Sequence, residues 1–112
     1  MSRHVLAVDL KDDPQAISAY LDHHRRVWPE VLRSLRAAGL REMEIFLHGR
    51  RLVMIVETGD SGGGYEAIFA RHAASHPRVA EWEALMKSLQ QPVPGAAPGE
   101  WWVMMQPVFR LP

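Results

Sequence analysis

Two hydrophobic periods alternate along the chain. Val5 to Leu10 is a short apolar run holding two valines, and it reads as a first strand. Asp12-Asp13-Pro14 then reads as a helix start: Asp13 can cap, and Pro14 suits the first helical position, where no N–H is needed. Ile17, Tyr20, Leu21, His24 and Val27/Trp28 recur at helical spacing, until Pro29 breaks or kinks the helix near Val27. Pro29 also opens a second helical stretch carrying Val31, Leu32 and Leu35, which Gly39 closes. From Arg41 to Phe46 the period changes to two. Met43, Ile45 and Leu47 fall on one face, Glu42, Glu44 and Phe46 on the other, so the segment is a half-buried strand. After a tight connection at His48-Gly49-Arg50-Arg51, Leu52 to Glu57 forms the second arm of an antiparallel hairpin.

Thr58 to Gly64 is a Gly/Ser loop. Tyr65 to Ala74 and Arg78 to Leu89 are helical, divided at His76-Pro77. Gln90 to Glu100 holds three prolines and two glycines and reads as an irregular connector, with Trp101 to Phe109 as a last strand in which Pro107 suggests an edge or bulge. The order β-α-β-β-α-β predicts an α+β, ferredoxin-like chain in which helices cover one face of an antiparallel sheet. The other face needs a cover. A homodimer packed sheet to sheet supplies it most simply, and the Trp101–Phe109 strand is expected to pair at or across that boundary, with the Pro/Gly connector long enough to let it exchange between protomers.

Composition narrows the function. The 112 residues contain 47% hydrophobic and 23% charged positions, which suits one folded domain spanning 1–112. No cysteine is present, which removes disulfide frameworks and thiolate metal sites. Thirteen basic residues balance thirteen acidic ones, so nucleic acid and anionic membrane surfaces are not expected partners. RNA-recognition motifs share this element order but stack bases on aromatic residues of the third strand, and Leu52 to Glu57 has none. No apolar run is long enough to span a bilayer and no signal peptide opens the chain, so a cytoplasmic location is expected.

Several side chains could carry chemistry. Tyr20, His24 and Trp28 are spaced i, i+4, i+8 and form one row if the first helix persists to Pro29. An imidazole between a phenol and an indole suits proton transfer on a polyhydroxylated ligand; equally, the three could be core. Glu83 beside Trp82 is either a second acid/base group or an exposed helical carboxylate. His72 and His76 are also i, i+4, but Pro77 ends the helix there and no acidic partner accompanies them. A solvated helix-terminal pair is expected rather than a metal site. Ser61-Gly62-Gly63-Gly64 lacks the ending of a phosphate loop. Arg25, Arg26, Arg33 and Arg36 are interleaved with Asp22 and Glu30, as on a solvated face.

The string Tyr20-Leu-Asp-His-His24-Arg-Arg-Val-Trp28-Pro29-Glu30 resembles the opening signature of the L-rhamnose mutarotase family. The resemblance continues through Ile45-Phe46-Leu47 and Leu52 to Glu57 and ends in Val108-Phe109-Arg110-Leu111-Pro112. It implies a dimeric α+β barrel that interconverts the α and β anomers of a 6-deoxy-hexose without cofactor or metal. The proton-transferring histidine of the family falls on His24 and a sugar-binding tyrosine on Tyr20. A second sugar-binding tyrosine meets Met43, and a tryptophan pair meets Trp82 and Glu83. Val79 to Met86 and Pro94 to Glu100 resemble the branch associated with L-fucose. The expected site is therefore His24 as acid/base with Tyr20, Trp28, Met43, Trp82 and Glu83 against the sugar, L-fucose being preferred over L-rhamnose. Against this stand a non-catalytic barrel that binds a small molecule and an oxygenase-like member of the same architecture.

Overall fold

A computed structural model describes residues 2–59 and 63–112. Residues 60–62 of the expected Gly/Ser loop, and with them the Ser61-Gly62 half of the glycine run, lie outside the described residues. The elements run β1 (Ser2–Leu10), α1 (Pro14–Arg25), α2 (Pro29–Ala38), β2 (Leu40–His48), β3 (Arg51–Thr58), α3 (Tyr65–Ala74), α4 (Pro77–Leu89), β4 (Gln90–Gln91) and β5 (Val103–Met104). The sheet has the order β2-β3-β1, and both β4 and β5 pair with the far edge of β1, all antiparallel.

Local chemistry sets the boundaries. The Asp13 carboxylate accepts the Gln15 N–H at 3.0 Å and caps α1, with Pro14 following as its first residue. The helix stops at Arg25, earlier than the hydrophobic spacing implies. Trp28 therefore does not continue the Tyr20–His24 row; it is the residue that precedes Pro29 and α2. Gly39 at φ 120° ends α2, a conformation only glycine adopts readily. The hairpin turns at Gly49, where φ is +62° and Arg50 stays at negative φ.

A bulge between Leu40 and Glu42 shifts β2 by one residue, so Leu40 joins Met43, Ile45 and Leu47 on the helix-covered face. Leu6, Val8 and Leu10 of β1 and Leu52, Met54 and Val56 of β3 complete that face. Against it pack Tyr20, Val31, Ile68, Val79, Trp82 and Met86 from all four helices. On the opposite face Asp9 is buried and holds Arg51 in a two-pronged cross-strand pair, Nε to Oδ1 at 2.9 Å and Nη2 to Oδ2 at 3.2 Å. Phe46 on that face remains largely exposed.

Two expectations need correction. The connector is not irregular from its start: Gln90–Gln91 pairs with Asp9 and Leu10. The last strand does not run from Trp101 to Phe109. Only Val103 and Met104 pair with β1, because β4 already occupies the neighbouring stretch of that edge, and Pro107 has no N–H to offer a ladder. Trp101 and Trp102 turn to the helix side and pack on the core. Beyond Met104 the chain is exposed, including Val108 at 94%, Phe109 at 78% and Leu111 at 80%.

Candidate active site

A cavity of about 840 Å³ lies between the sheet and the helices, within the size range of small-molecule sites. Tyr20 and His24 reach its wall from α1, Met43 from β2, Trp82, Glu83 and Lys87 from α4, and His72 from α3. Residues four apart on α4 share a face, which explains why Trp82 and Met86 line it together, with Glu83 and Lys87 in the next row; Gln90 joins them from the cap that ends the helix.

The Tyr20 and His24 rings lie 4.2 Å apart. His24 Nδ1–H donates to the Tyr20 carbonyl at 2.8 Å, one turn back on the helix. A carbonyl can only accept, so the bond fixes the tautomer and leaves Nε2 with its lone pair. Burial lowers the pKa of His24 below the usual 6.5. The carbonyl opposes this shift, and neighbouring His23 adds to it. The imidazole is thus held neutral at pH 7, in the form that accepts a proton.

Tyr20 is shifted the other way. Burial raises its pKa far above the usual phenol value; a hydrogen bond from the Gln90 side chain opposes this, and the negative charge of Glu83 adds to it. The phenol keeps its proton and serves as a donor. Gln90, itself buried, accepts Trp101 Nε1–H at 2.8 Å through its carbonyl oxygen, which leaves its amide for the phenol.

Trp82 is the shared wall. It is 5% exposed and stands edge-on to His24 at 5.4 Å and to Trp28 at 5.2 Å. Trp28 is not among the lining residues. It supports Trp82 from behind, with the Arg78 guanidinium 3.8 Å over its ring. Glu83 is half exposed at the cavity, and its Oε1 lies 3.3 Å from His72 Nε2.

His72 contradicts the expectation of a solvated pair. It is 2% exposed, because α2 and α4 close over α3 at that point. His76 lies beyond the helix and caps α4 by accepting the Arg78 N–H at 3.0 Å. Among the described residues no three histidine or carboxylate side chains converge as metal ligands. Arg25 pairs with Asp22 on an exposed surface, as expected of a solvated face. Gln90, Trp101 and His72 are the site residues that the sequence reading did not single out for the cavity; for Gln90 the only signal was its spacing from Trp82 and Met86.

The family model described as L-rhamnose mutarotase matches residues 3–111. A protein of Xanthomonas campestris pathovar campestris named L-fucose mutarotase is 44% identical, over 99% of this chain and 89% of its own length. Among solved structures, an L-rhamnose mutarotase from Formosa agariphila superposes with a TM-score of 0.68 at 21% identity and full coverage of both chains. A dimeric ferredoxin-like protein from an uncultured marine organism gives 0.53 at 19% identity, over 85% of this chain and 95% of its own. These two structural likenesses speak to the fold, α+β and ferredoxin-like with an antiparallel sheet.

Proposed function

The chain belongs to the L-rhamnose mutarotase family of sugar isomerases, and from that premise we propose that it interconverts the anomers of L-fucose in preference to L-rhamnose. The single observation that carries the reading is the His24–Tyr20 hydrogen bond at the cavity wall, which leaves a neutral imidazole with its basic nitrogen free.

Mutarotation opens a cyclic hemiacetal and recloses it on the other face of C1. His24 Nε2 takes the proton of the anomeric hydroxyl as O1 becomes a carbonyl oxygen. The C1–O5 bond breaks, its electron pair goes to O5, and a second group protonates O5. After rotation about C1–C2, O5 attacks the opposite carbonyl face, returns its proton to the second group, and O1 recovers the proton held by His24. Atoms and charge balance over the cycle, and no redox step occurs. A positioned acid/base group contributes about 10²–10⁴-fold to such a step.

Tyr20, held protonated, donates to a sugar oxygen. Trp82 offers an aromatic wall to the apolar face of the sugar, and Trp28 braces it. Glu83 is the second proton carrier or a hydroxyl acceptor. A carboxylate accepts where the tryptophan of the family signature could only donate or stack, and Met43 removes a phenol from β2, so a different pattern of hydroxyl configuration is favoured. Both substitutions, with the name of the Xanthomonas relative, support L-fucose.

The active form we infer is a homodimer. The partly uncovered sheet face with Phe46, and the exposed apolar tail after Met104, support a second copy that covers both, with the tail crossing between protomers.

The test is exchange NMR on the anomeric protons of L-fucose and L-rhamnose. The enzyme is expected to accelerate both over buffer, L-fucose more. Sugar binding with no gain in either exchange rate would instead favour a non-catalytic binding protein.

A further inference from the structure

Ring opening needs two proton carriers, and Glu83, the candidate for the second, has a built support in His72. His72 sits on α3 with both ring nitrogens engaged: Nδ1 lies 2.7 Å from Ser34 Oγ of α2, and Nε2 lies 3.3 Å from Glu83 Oε1 of α4. Ser34 Oγ is in turn 2.6 Å from Ser75 Oγ, and the Ser75 hydroxyl lies 2.7 Å from the carbonyl of His72.

Ser34 Oγ also lies 3.5 Å from the His72 carbonyl, so its single proton is shared among the imidazole, Ser75 and that carbonyl. These contacts tie the His72 ring to α2 and α3 and leave its Nε2 edge turned toward the Glu83 carboxylate of α4.

We propose that His72 is the positioning residue for Glu83, holding its carboxylate at the cavity wall for the second proton transfer when the sugar ring opens. The idea rests on the mutarotase reading and adds to it a buried residue that acts through Glu83. A fully buried imidazole between two helices would satisfy packing with any carbonyl partner. Here its outer nitrogen lies 3.3 Å from a half-exposed carboxylate lining the cavity. This is the arrangement by which a base is oriented through a third group.

The test is a double-mutant cycle on anomer exchange, with L-fucose and L-rhamnose run in parallel over a concentration series. Glu83→Gln is expected to lower kcat about 10²-fold. His72→Gln, which keeps a polar group but loses the rigid ring that bridges Ser34 and Glu83, is expected to lower it about tenfold with KM within about twofold. The two together lose no more than Glu83→Gln alone, because His72 acts only through Glu83. If the losses multiply, or if His72→Gln leaves kcat within about twofold of wild type, the role is refuted. Should His72→Gln unfold, Ser34→Ala replaces it: a loss of about two- to fivefold on the wild-type background and none on Glu83→Gln supports the proposal, and equal losses on both overturn it. A wild-type protein that accelerates neither sugar removes the mutarotase reading itself. An active wild type with multiplying losses removes only His72.

Discussion

Replacing Trp82 by phenylalanine probes the cavity wall and the base behind it in one variant. Trp82 is almost wholly buried and meets His24 and Trp28 edge-on. Truncating a buried Trp to alanine costs about 3–5 kcal/mol. Phenylalanine keeps one ring, so the loss is limited to part of the buried area and a weakening of two aromatic pairs, each worth about 0.5–1.5 kcal/mol beyond burial. Because one side of the indole borders open cavity, a total of about 1–2 kcal/mol is expected. That is small beside the roughly 6–17 kcal/mol of a domain this long, so the variant stays folded and melts about 4–8 °C lower. The chemical effect is separate. His24 is held neutral chiefly by burial, and the two rings closest to it are those of Tyr20 and Trp82. A smaller ring admits water, the imidazolium is less disfavoured, and the titration midpoint moves up toward 6.5. The sign has a consequence for stability. In the wild type the depressed pKa costs stability as pH falls from 6.5 through the folded-state midpoint. The variant escapes part of that cost, so its stability deficit is largest above pH 6.5 and narrows below it. NMR titration of the His24 ring proton, with thermal melts across the same pH range, reads both effects. A midpoint that stays put or falls in the folded variant would refute the argument that Trp82 dehydrates the imidazole.

Two further outcomes follow from the same geometry. If neutral His24 is the base in the free enzyme, kcat/KM should rise with pH and reach its plateau through a midpoint below 6.5; a limb centred at or above 6.5 would mean that another group controls the rate. Truncation after Met104 removes Val108, Phe109 and Leu111, each worth roughly 1.5–3 kcal/mol when fully buried. The homodimer dissociation constant should then rise at least about 10³-fold by light scattering or sedimentation, and an unchanged dimer would separate the tail from the interface.

The parts of this architecture written in local chemistry could be read before any coordinates. Asp13 and Pro14 mark the start of α1, Gly39 ends α2, and Gly49 sits at the hairpin turn because each answers a backbone requirement of its own segment. The two-residue period of β2 survives even its bulge, since Met43, Ile45 and Leu47 must all meet the same core. What escaped was set by distant neighbours. His72 looks solvated from its own helix and becomes buried only when α2 and α4 arrive. Gln90 reads as the start of a loop, yet its amide joins Trp101 to the phenol of Tyr20. The tail resembles a strand in composition, but the edge it would extend is shared by two short strands, and its apolar side chains find no cover within one chain. Tyr20 and His24 fall in one row, while Trp28 leaves the row and reaches Trp82 from the start of the next helix.

The most direct measurement compares anomeric exchange of L-fucose in wild type and His24→Gln at neutral pH. Glutamine can reproduce a hydrogen bond to the Tyr20 carbonyl but cannot take up a proton. The exchange rate is expected to fall about 10²–10⁴-fold toward the buffer value, with far-UV circular dichroism and the melting temperature retained. A folded His24→Gln protein that turns over L-fucose at the wild-type rate would contradict the account.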